Sequence, residues 1–403
     1  MANARFPIKK IIFAIGLYAF TLGGCATVDV PNIGQSGYKL ADDERRLQKR
    51  ADEFCETIDD SSFIYSDKNL ERYLTDLANE LLPQTVRQEG VKIQVTVIRE
   101  PSLNAFALPN NRIFVHTGIL AVIENEAQLA TLLGHEMTHI DNRHSLRQMR
   151  SITNKTAFFA TIQAPAAVVG GDLGALFAGL AVVSSVYGYS QDLESEADDE
   201  GFKILLQKGY DVSGSPKLFE HLMQFIKDED VKQPFFFSTH PNVVARIRNF
   251  EELIQKEGKQ QNGEKVGKEH YEKYTRHLIL DDISMCLEFG MFKTAERLID
   301  KFLKENPQNA EIHYCKAELY RQRQDHDKKI KKRDKISDYP KAMESYDKAI
   351  EINSNFAEAF KGKARIFQKQ GNIPGAKTAF KKYLELNPQA DDRGYIEQFL
   401  TKG

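Results

Sequence analysis

No tryptophan occurs among the 403 residues, and cysteine occurs only four times. Cys55, Cys286 and Cys315 show no Cys-x-x-Cys spacing, which argues against a disulfide framework and a cysteine-type zinc site. They read as buried structural thiols, with a single Cys286–Cys315 bridge as the alternative in an oxidising compartment. After Cys25 the chain has no run of about eighteen apolar residues, which excludes a multi-span membrane protein. Neither charge dominates: 55 basic and 57 acidic residues leave a net charge of −2, and nothing points to nucleic acid. What is present is ordinary globular composition, 28% charged and 41% hydrophobic, at a length that accommodates two or three domains.

The first 24 residues contain no acid. Arg5, Lys9 and Lys10 precede an apolar stretch from Ile11 to Leu22, too short for a spanning helix. Leu22-Gly23-Gly24-Cys25 has the Leu-x-Gly-Cys form of a bacterial lipobox, which predicts a signal peptide over 1–24 and acylation of Cys25. An uncleaved N-terminal anchor is the alternative. Each buried methylene contributes about 0.8 kcal/mol, so several acyl chains hold firmly to a bilayer. Ala26 after the cysteine favours the outer membrane over the inner, which places the chain on the periplasmic side of the envelope.

Residues 41–56 and 69–82 read as amphipathic helices, the second with Leu70, Tyr73, Leu74, Leu77 and Leu81 at helical spacing before Pro83. Val91 to Val97 alternates apolar and polar residues, a half-buried strand. Residues 104–108 and 113–115 flank Pro109-Asn110-Asn111 and read as a hairpin, whose edge is able to pair with an extended peptide. A helix then starts near Asn125-Glu126. Residues 157–189, rich in Ala, Gly and Val, read as a buried helical hairpin, with a membrane-dipping segment as the alternative.

The helix from Asn125 carries His135-Glu136-Met137-Thr138-His139. Positions four apart share a helix face, so His135 and His139 can offer two imidazoles to one Zn²⁺, with Glu136 placed to take a proton from water. A catalytic zinc needs a third protein ligand and an open position. Asn142 and Ser145 stand where a metzincin has glycine and its third histidine, and His144 is one residue out of register, so that solution is excluded. The other solution is an acid on a later helix. Asp192-Leu193-Glu194-Ser195-Glu196-Ala197-Asp198 supplies it, with Glu194 and Asp198 one turn apart. Glu194 can bind the metal while Asp198 fixes the tautomer of a ligand histidine. Glu196 lies about 200° round the helix from Glu194 and points elsewhere. Ala197 and Gly201 are small enough for close packing. In isolation, the same acids would read as a solvated run.

These motifs, with Asn104-Ala105-Phe106-Ala107 and Arg143-His144, resemble those of the HtpX/BepA-type zinc metallopeptidases, a gluzincin family, over roughly residues 40–255. The resemblance implies His135, His139 and Glu194 as ligands of one Zn²⁺ and Glu136 as general base. It extends to Ser238-Thr239-His240-Pro241 followed by Arg246. It implies that His240 is a displaceable fourth ligand or a donor to the oxyanion; a histidine capping a turn before Pro241 is the plain alternative.

Lys256 to Glu269 is polar and reads as a linker. Beyond it, Asn306-Pro307, Asn353-Ser354 and Asn387-Pro388 close successive units. The last two are 34 residues apart, the tetratricopeptide period, and the first two 47. The surplus, roughly Gln324 to Ser337 and including the basic run Lys328 to Arg333, reads as a solvated loop inserted between a unit's two helices. Ala342 and Tyr346 align with Ala376 and Phe380, as Ala317 and Tyr320 do with Ala364 and Phe367. The repeats start near Leu278, and Tyr395 to Leu400 reads as a cap.

The expected fold is α+β: a signal peptide over 1–24, a mainly helical zincin-type domain with a small β-sheet over 25–255, a linker over 256–270 and an all-α tetratricopeptide domain over 271–403. The expected function is zinc-dependent endopeptidase activity on misfolded or stalled envelope proteins. The resemblance also implies help with outer-membrane protein assembly, with the barrel-assembly machinery as a partner of the repeats. The alternative is an assembly adaptor or chaperone whose zinc site is latched by His240; Glu136→Gln separates the two.

Overall fold

The computed structural model describes residues 30–59, 62–151, 189–229, 240, 243–258, 263–329 and 337–401. The lipobox with Cys25, the Ala/Gly/Val-rich stretch over 157–188 and most of the Ser-Thr-His-Pro segment lie outside them.

Helix α1 (Asp42–Asp59) and helix α2 (Lys68–Leu81) form where the apolar spacing predicts them. The Asp67 carboxylate caps α2 by accepting the Asn69 and Leu70 N–H groups, the leucine face of α2 is buried, and the one-turn α3 (Gln84–Gln88) follows Pro83. Each leucine buried there contributes about 2 kcal/mol. Strands β1 (Gln94–Ile98), β2 (Ala105–Ala107) and β3 (Arg112–His116) make a mixed sheet in the order β1-β3-β2. β1 runs parallel to β3, and β2 and β3 form the expected hairpin. Asn111 takes a left-handed φ of 65° at its turn, where asparagine is well tolerated.

Strand periodicity sends alternate side chains to opposite faces. Ile98, Phe106 and Phe114 pack against α1, while Val95, Val97, Ala105, Ile113 and Val115 join the larger core with α2. That larger core surrounds helix α5 (Glu126–Asp141), reached from β3 through the short α4 (Thr117–Val122). Asn125 caps α5 by accepting the Gln128 N–H, and every residue from Glu126 to Ile140 is buried. Helix α6 (His144–Ser151) follows directly; α7 (Gln191–Gln207), α8 (Ser215–Glu229) and α9 (Val243–Leu253) complete the surroundings of α5.

Helices α5 and α7 cross at two glycines. A Cβ on Gly201 would lie 3.1 Å from the His135 backbone nitrogen, and one on Gly134 would lie 3.2 Å from Leu205 Cδ1. The small residues read from the sequence therefore set how near the acids of α7 come to the histidines of α5.

Helix pairs follow: α10 (Lys268–Phe289) with α11 (Phe292–Glu305), α12 (Ala310–Lys329) with α13 (Tyr339–Ile352), and α14 (Ala357–Lys369) with α15 (Ile373–Leu386). Helix α16 (Arg393–Thr401) packs on the last pair, with Phe399 against Phe380. The arrangement is consistent with the repeat reading: Ala317, Ala342, Tyr346, Ala364, Ala376 and Phe380 are all buried. A Cβ on Gly362 would collide with the Tyr346 ring at 2.2 Å, so the absence of a side chain there sets the approach of two units.

Two segments differ from the sequence reading. The inserted stretch is helical through Lys329, because α12 continues past its expected end. Arg321 pairs with Glu318 and Asp325 along it, and Arg323 reaches Glu296 and Asp338. The polar stretch before α10 is partly fastened down: Lys265 N–H donates to Gly209 O, Asp211 N–H to Lys265 O, and Ala127 N–H to Val266 O. Cys55, Cys286 and Cys315 are buried free thiols. No helix among the described residues is long and apolar enough to cross a membrane.

Candidate metal centre

His135 and His139 lie one turn apart on α5, Glu194 comes from α7, and His240 comes from the segment just before α9. Their ligand atoms all lie within 4.8 Å of one another, and all four residues are buried. His135 Nε2 is 3.0 Å from His139 Nε2 and 3.2 Å from His240 Nδ1. Glu194 Oε1 is 2.9 Å from His240 Nδ1 and 3.4 Å from His139 Nε2, and Glu194 Oε2 is 3.5 Å from His135 Nε2. A tetrahedral zinc with bonds of roughly 2.0–2.1 Å places its donors about 3.3 Å apart. The observed separations fit that figure.

Electrostatics favour the same occupant. Burial pushes the pKa values of His135 and His139 well below the ordinary value, so both present lone pairs. Three imidazole nitrogens and a carboxylate converging on one point make a borderline-soft cation's environment. Burial works to raise the Glu194 pKa, but His240, His135 and Arg246 outweigh it and hold the carboxyl below its usual range. The residues present fit Zn²⁺.

Glu136 is fully buried; the Ala107 backbone lies against its carboxylate and its Oε1 is 3.4 Å from His240 Nε2. Burial raises its pKa to about 7, with His240 opposing. A carboxyl so poised is suited to taking and returning a proton near neutral pH. Asp198 Oδ1 is 2.9 Å from His135 Nδ1, as the one-turn spacing from Glu194 predicts. Burial raises the Asp198 pKa to about 6, with Arg246 opposing.

Arg246, noted in the sequence only through the family resemblance, is central to the wall of the site. Its guanidinium donates to Asp198 at 2.6 and 2.9 Å, lies 3.3 Å from Glu194 Oε2 and stacks over the Phe219 ring at 4.4 Å. Tyr189 was not singled out by any motif, yet its ring stacks on His139 at 3.8 Å and its hydroxyl lies 3.0 Å from Ser145 Oγ. His144, rejected as a ligand because of its register, stands behind His139, with the two Nδ1 atoms 2.7 Å apart. Glu196 points away from the cluster as its helical angle predicts, toward Asn142, Arg147 and the far side of His144.

Residues 67–254 match the sequence profile of peptidase family M48. The chain is 30% identical over 195 residues to the mitochondrial metalloendopeptidase OMA1 of Schizosaccharomyces pombe, covering 47% of this chain and 56% of that protein. It is 27% identical over 265 residues to the metalloprotease LoiP of Escherichia coli, covering 62% and 98%. It is also 27% identical over 236 residues to a putative beta-barrel assembly-enhancing protease of Vibrio cholerae, covering 56% and 47%. The chain thus spans about half the length of the first and third of these relatives and nearly all of the second.

Proposed function

We propose, from the match of residues 67–254 to peptidase family M48, that the protein is a zinc metalloendopeptidase of the bacterial cell envelope. The observation that carries the activity is the buried convergence of His135, His139 and Glu194 beside the buried carboxylate of Glu136, whose Oε1 lies 3.4 Å from His240 Nε2. Zinc held by those three residues would supply Lewis-acid polarisation of a peptide carbonyl and a more acidic water. Glu136 takes the proton from the attacking water and returns it to the leaving amine nitrogen, so hydrolysis needs no Ser or Cys nucleophile. Asp198 Oδ1, 2.9 Å from His135 Nδ1, would accept that nitrogen's proton and keep the ring in its ligating tautomer, while Arg246 pairs with Asp198 and also lies 2.9 Å from His135 Nδ1. An extended substrate adds alongside β2, the edge strand of the sheet among the described residues, which packs beside α5.

The envelope assignment draws on the lipobox ending at Cys25 and on relatives named LoiP and beta-barrel assembly-enhancing protease. In this reading a lipid at Cys25 anchors the chain on the periplasmic side of the outer membrane. The substrates are misfolded or stalled envelope proteins, and the helix pairs recruit them or the machinery that assembles barrels. OMA1 of mitochondria is a relative of comparable identity, so the site itself is not tied to one compartment.

A second reading is favoured by His240. Its Nδ1 lies at tetrahedral spacing from His135 and Glu194, the separation expected of a fourth zinc ligand. Four protein ligands close a zinc site, and a protein so latched acts as an assembly adaptor until His240 is displaced. Glu136→Gln tests both readings. The variant should keep one zinc per chain by metal analysis and lose casein hydrolysis by roughly 10²–10⁴-fold, the scale of general-base catalysis. Full hydrolysis by the variant refutes the peptidase assignment; intact barrel assembly in cells carrying it favours the adaptor.

A further inference from the structure

His135 has a carboxylate directly behind it, whereas His139 has His144. His139 faces the cluster with Nε2, 3.0 Å from His135 Nε2, so its Nδ1 carries the proton and donates to His144 Nδ1 at 2.7 Å. A neutral imidazole that accepts at Nδ1 carries its own proton on Nε2. His144 Nε2 faces Glu196 Oε2 at 3.6 Å. Glu196 in turn accepts two hydrogen bonds of 2.9 Å from Arg147 and one of 2.8 Å from Asn142. His139 thus donates outward to His144, whose Nε2 is aimed at, but stands beyond hydrogen-bond length from, a carboxylate pinned by a guanidinium and an amide.

The backbone is shaped to deliver His144 to this place. A continuing helix would carry the fifth residue after His139 about 140° around the axis, away from it. The helix stops at Asn142, and Arg143 adopts a left-handed φ of 53°, a conformation that costs a non-glycine residue on the order of 1 kcal/mol or more. Arg143 is held in it by donating to Glu44 at 2.9 Å, Pro31 O at 2.9 Å and Lys39 O at 3.2 Å. That turn starts α6 at His144 and folds its ring back under His139, where it is fully buried. Tyr189, stacked on the His139 face, leaves that ring little freedom to rotate.

We propose that His144, backed by Glu196, is a positioning residue of the metal centre. It accepts the Nδ1 proton of His139 and so fixes that ligand's tautomer and ring plane, as Asp198 does for His135. The proposal rests on zinc binding at His135, His139 and Glu194, and its test separates the two: if wild type binds no zinc, the metal reading fails. If wild type and the His144 variants bind equally, only this proposal fails.

The asparagine Oδ1 occupies nearly the position of histidine Nδ1, which makes His144→Asn the conservative variant and His144→Leu the deleting one. Zinc dissociation constants are measured by chelator competition on the full chain, and the cobalt-substituted proteins give the d–d absorption spectrum. His144→Leu should weaken zinc by roughly 10–100-fold, the usual consequence of removing such a partner, and shift the cobalt bands. His144→Asn should recover most of the affinity and a near wild-type spectrum. Glu196→Gln, at a partly exposed side chain, should weaken zinc several-fold without impairing folding, and it carries the test if His144→Leu does not fold. Wild-type affinity in His144→Leu or Glu196→Gln, or equal losses in the Asn and Leu variants, overturns the proposal.

Discussion

His240 and Glu136 face each other across 3.4 Å, so whatever position His240 holds also determines the space in which Glu136 can meet water. If His240 is a displaceable ligand, His240→Ala removes one donor and opens the approach to Glu136. The expected outcome is a several-fold rise in casein hydrolysis at saturating zinc, with faster zinc loss to a chelator. A fall in turnover with unchanged zinc retention would instead give His240 the role of oxyanion donor. At this scale much of the centre was legible: His135, His139, Glu194 and Asp198 are related by helical spacing, and a one-turn interval fixes a shared face. His144 was not legible, because its position depends on the left-handed turn at Arg143, and that turn depends on the distant Glu44. Tyr189 follows a stretch outside the described residues and stands in no motif, so nothing local in the sequence marks its stacking on His139.

The helix that carries the two histidines is tied down at its first residue. Glu126 sits in the first turn of α5, where a carboxylate suits the positive end of the helix dipole. It accepts hydrogen bonds from Tyr73 at 3.0 Å and Tyr210 at 2.9 Å and pairs with Lys265 at 3.0 Å and His270 at 2.5 Å. One side chain thus joins α2, α5, the segment after α7 and the start of α10. Burial works to raise its pKa, but His270, Lys265 and Tyr210 outweigh it, and the net shift is downward. A carboxyl with a depressed folded pKa stabilises fully above its unfolded pKa, about 4.3, and loses that contribution as pH falls through the folded value. Glu126→Gln should therefore destabilise at pH 7 by about 3 kcal/mol, the scale of a broken buried pair. In thermal scans the gap between variant and wild type should close below pH 4. An equal gap at pH 7 and pH 3.5 would show that the charge is not what holds the helix end. The same cluster explains why 256–270 looks like a linker in the sequence: its polar residues read as solvated, and their partners lie more than fifty residues away in α2, α5 and the segment after α7. The helix pairs, by contrast, were legible because neighbouring units recur at a 34-residue interval, lengthened to 47 only where the insertion falls, so the pattern is local.

Across the whole molecule the peptidase domain and the first helix pair share one apolar core. Leu278, Ile283, Cys286, Leu298 and Phe302 of α10 and α11 belong to the same cluster as Ile119 and Leu133, so the first pair is part of the peptidase body rather than an appendage. Within that junction Asp282 is almost completely buried, its Oδ2 takes the weak Cys286 thiol donor at 3.8 Å, and the Thr117 hydroxyl is its other side-chain partner. Burial raises the Asp282 pKa to about 7; the Thr117 hydroxyl opposes the shift, and Glu100, itself raised to about 7 by burial, adds to it. The sign follows from proton binding. Between the unfolded pKa near 4 and the folded value, the native state holds a proton that the unfolded chain has released. The stability contribution is therefore complete below about pH 4 and is lost as pH rises through about 7. Asp282→Asn supplies a neutral side chain of the same size and removes this loss. Its melting temperature should exceed that of wild type at pH 8, by an amount reflecting on the order of 1–3 kcal/mol, and should approach it at pH 5. Glu100→Gln should act in the same direction, and the double variant should show the flattest profile between pH 5 and 8. If Asp282→Asn instead lowers the melting temperature equally at both pH values, the carboxyl serves the junction through a hydrogen bond rather than burdening it with a buried charge.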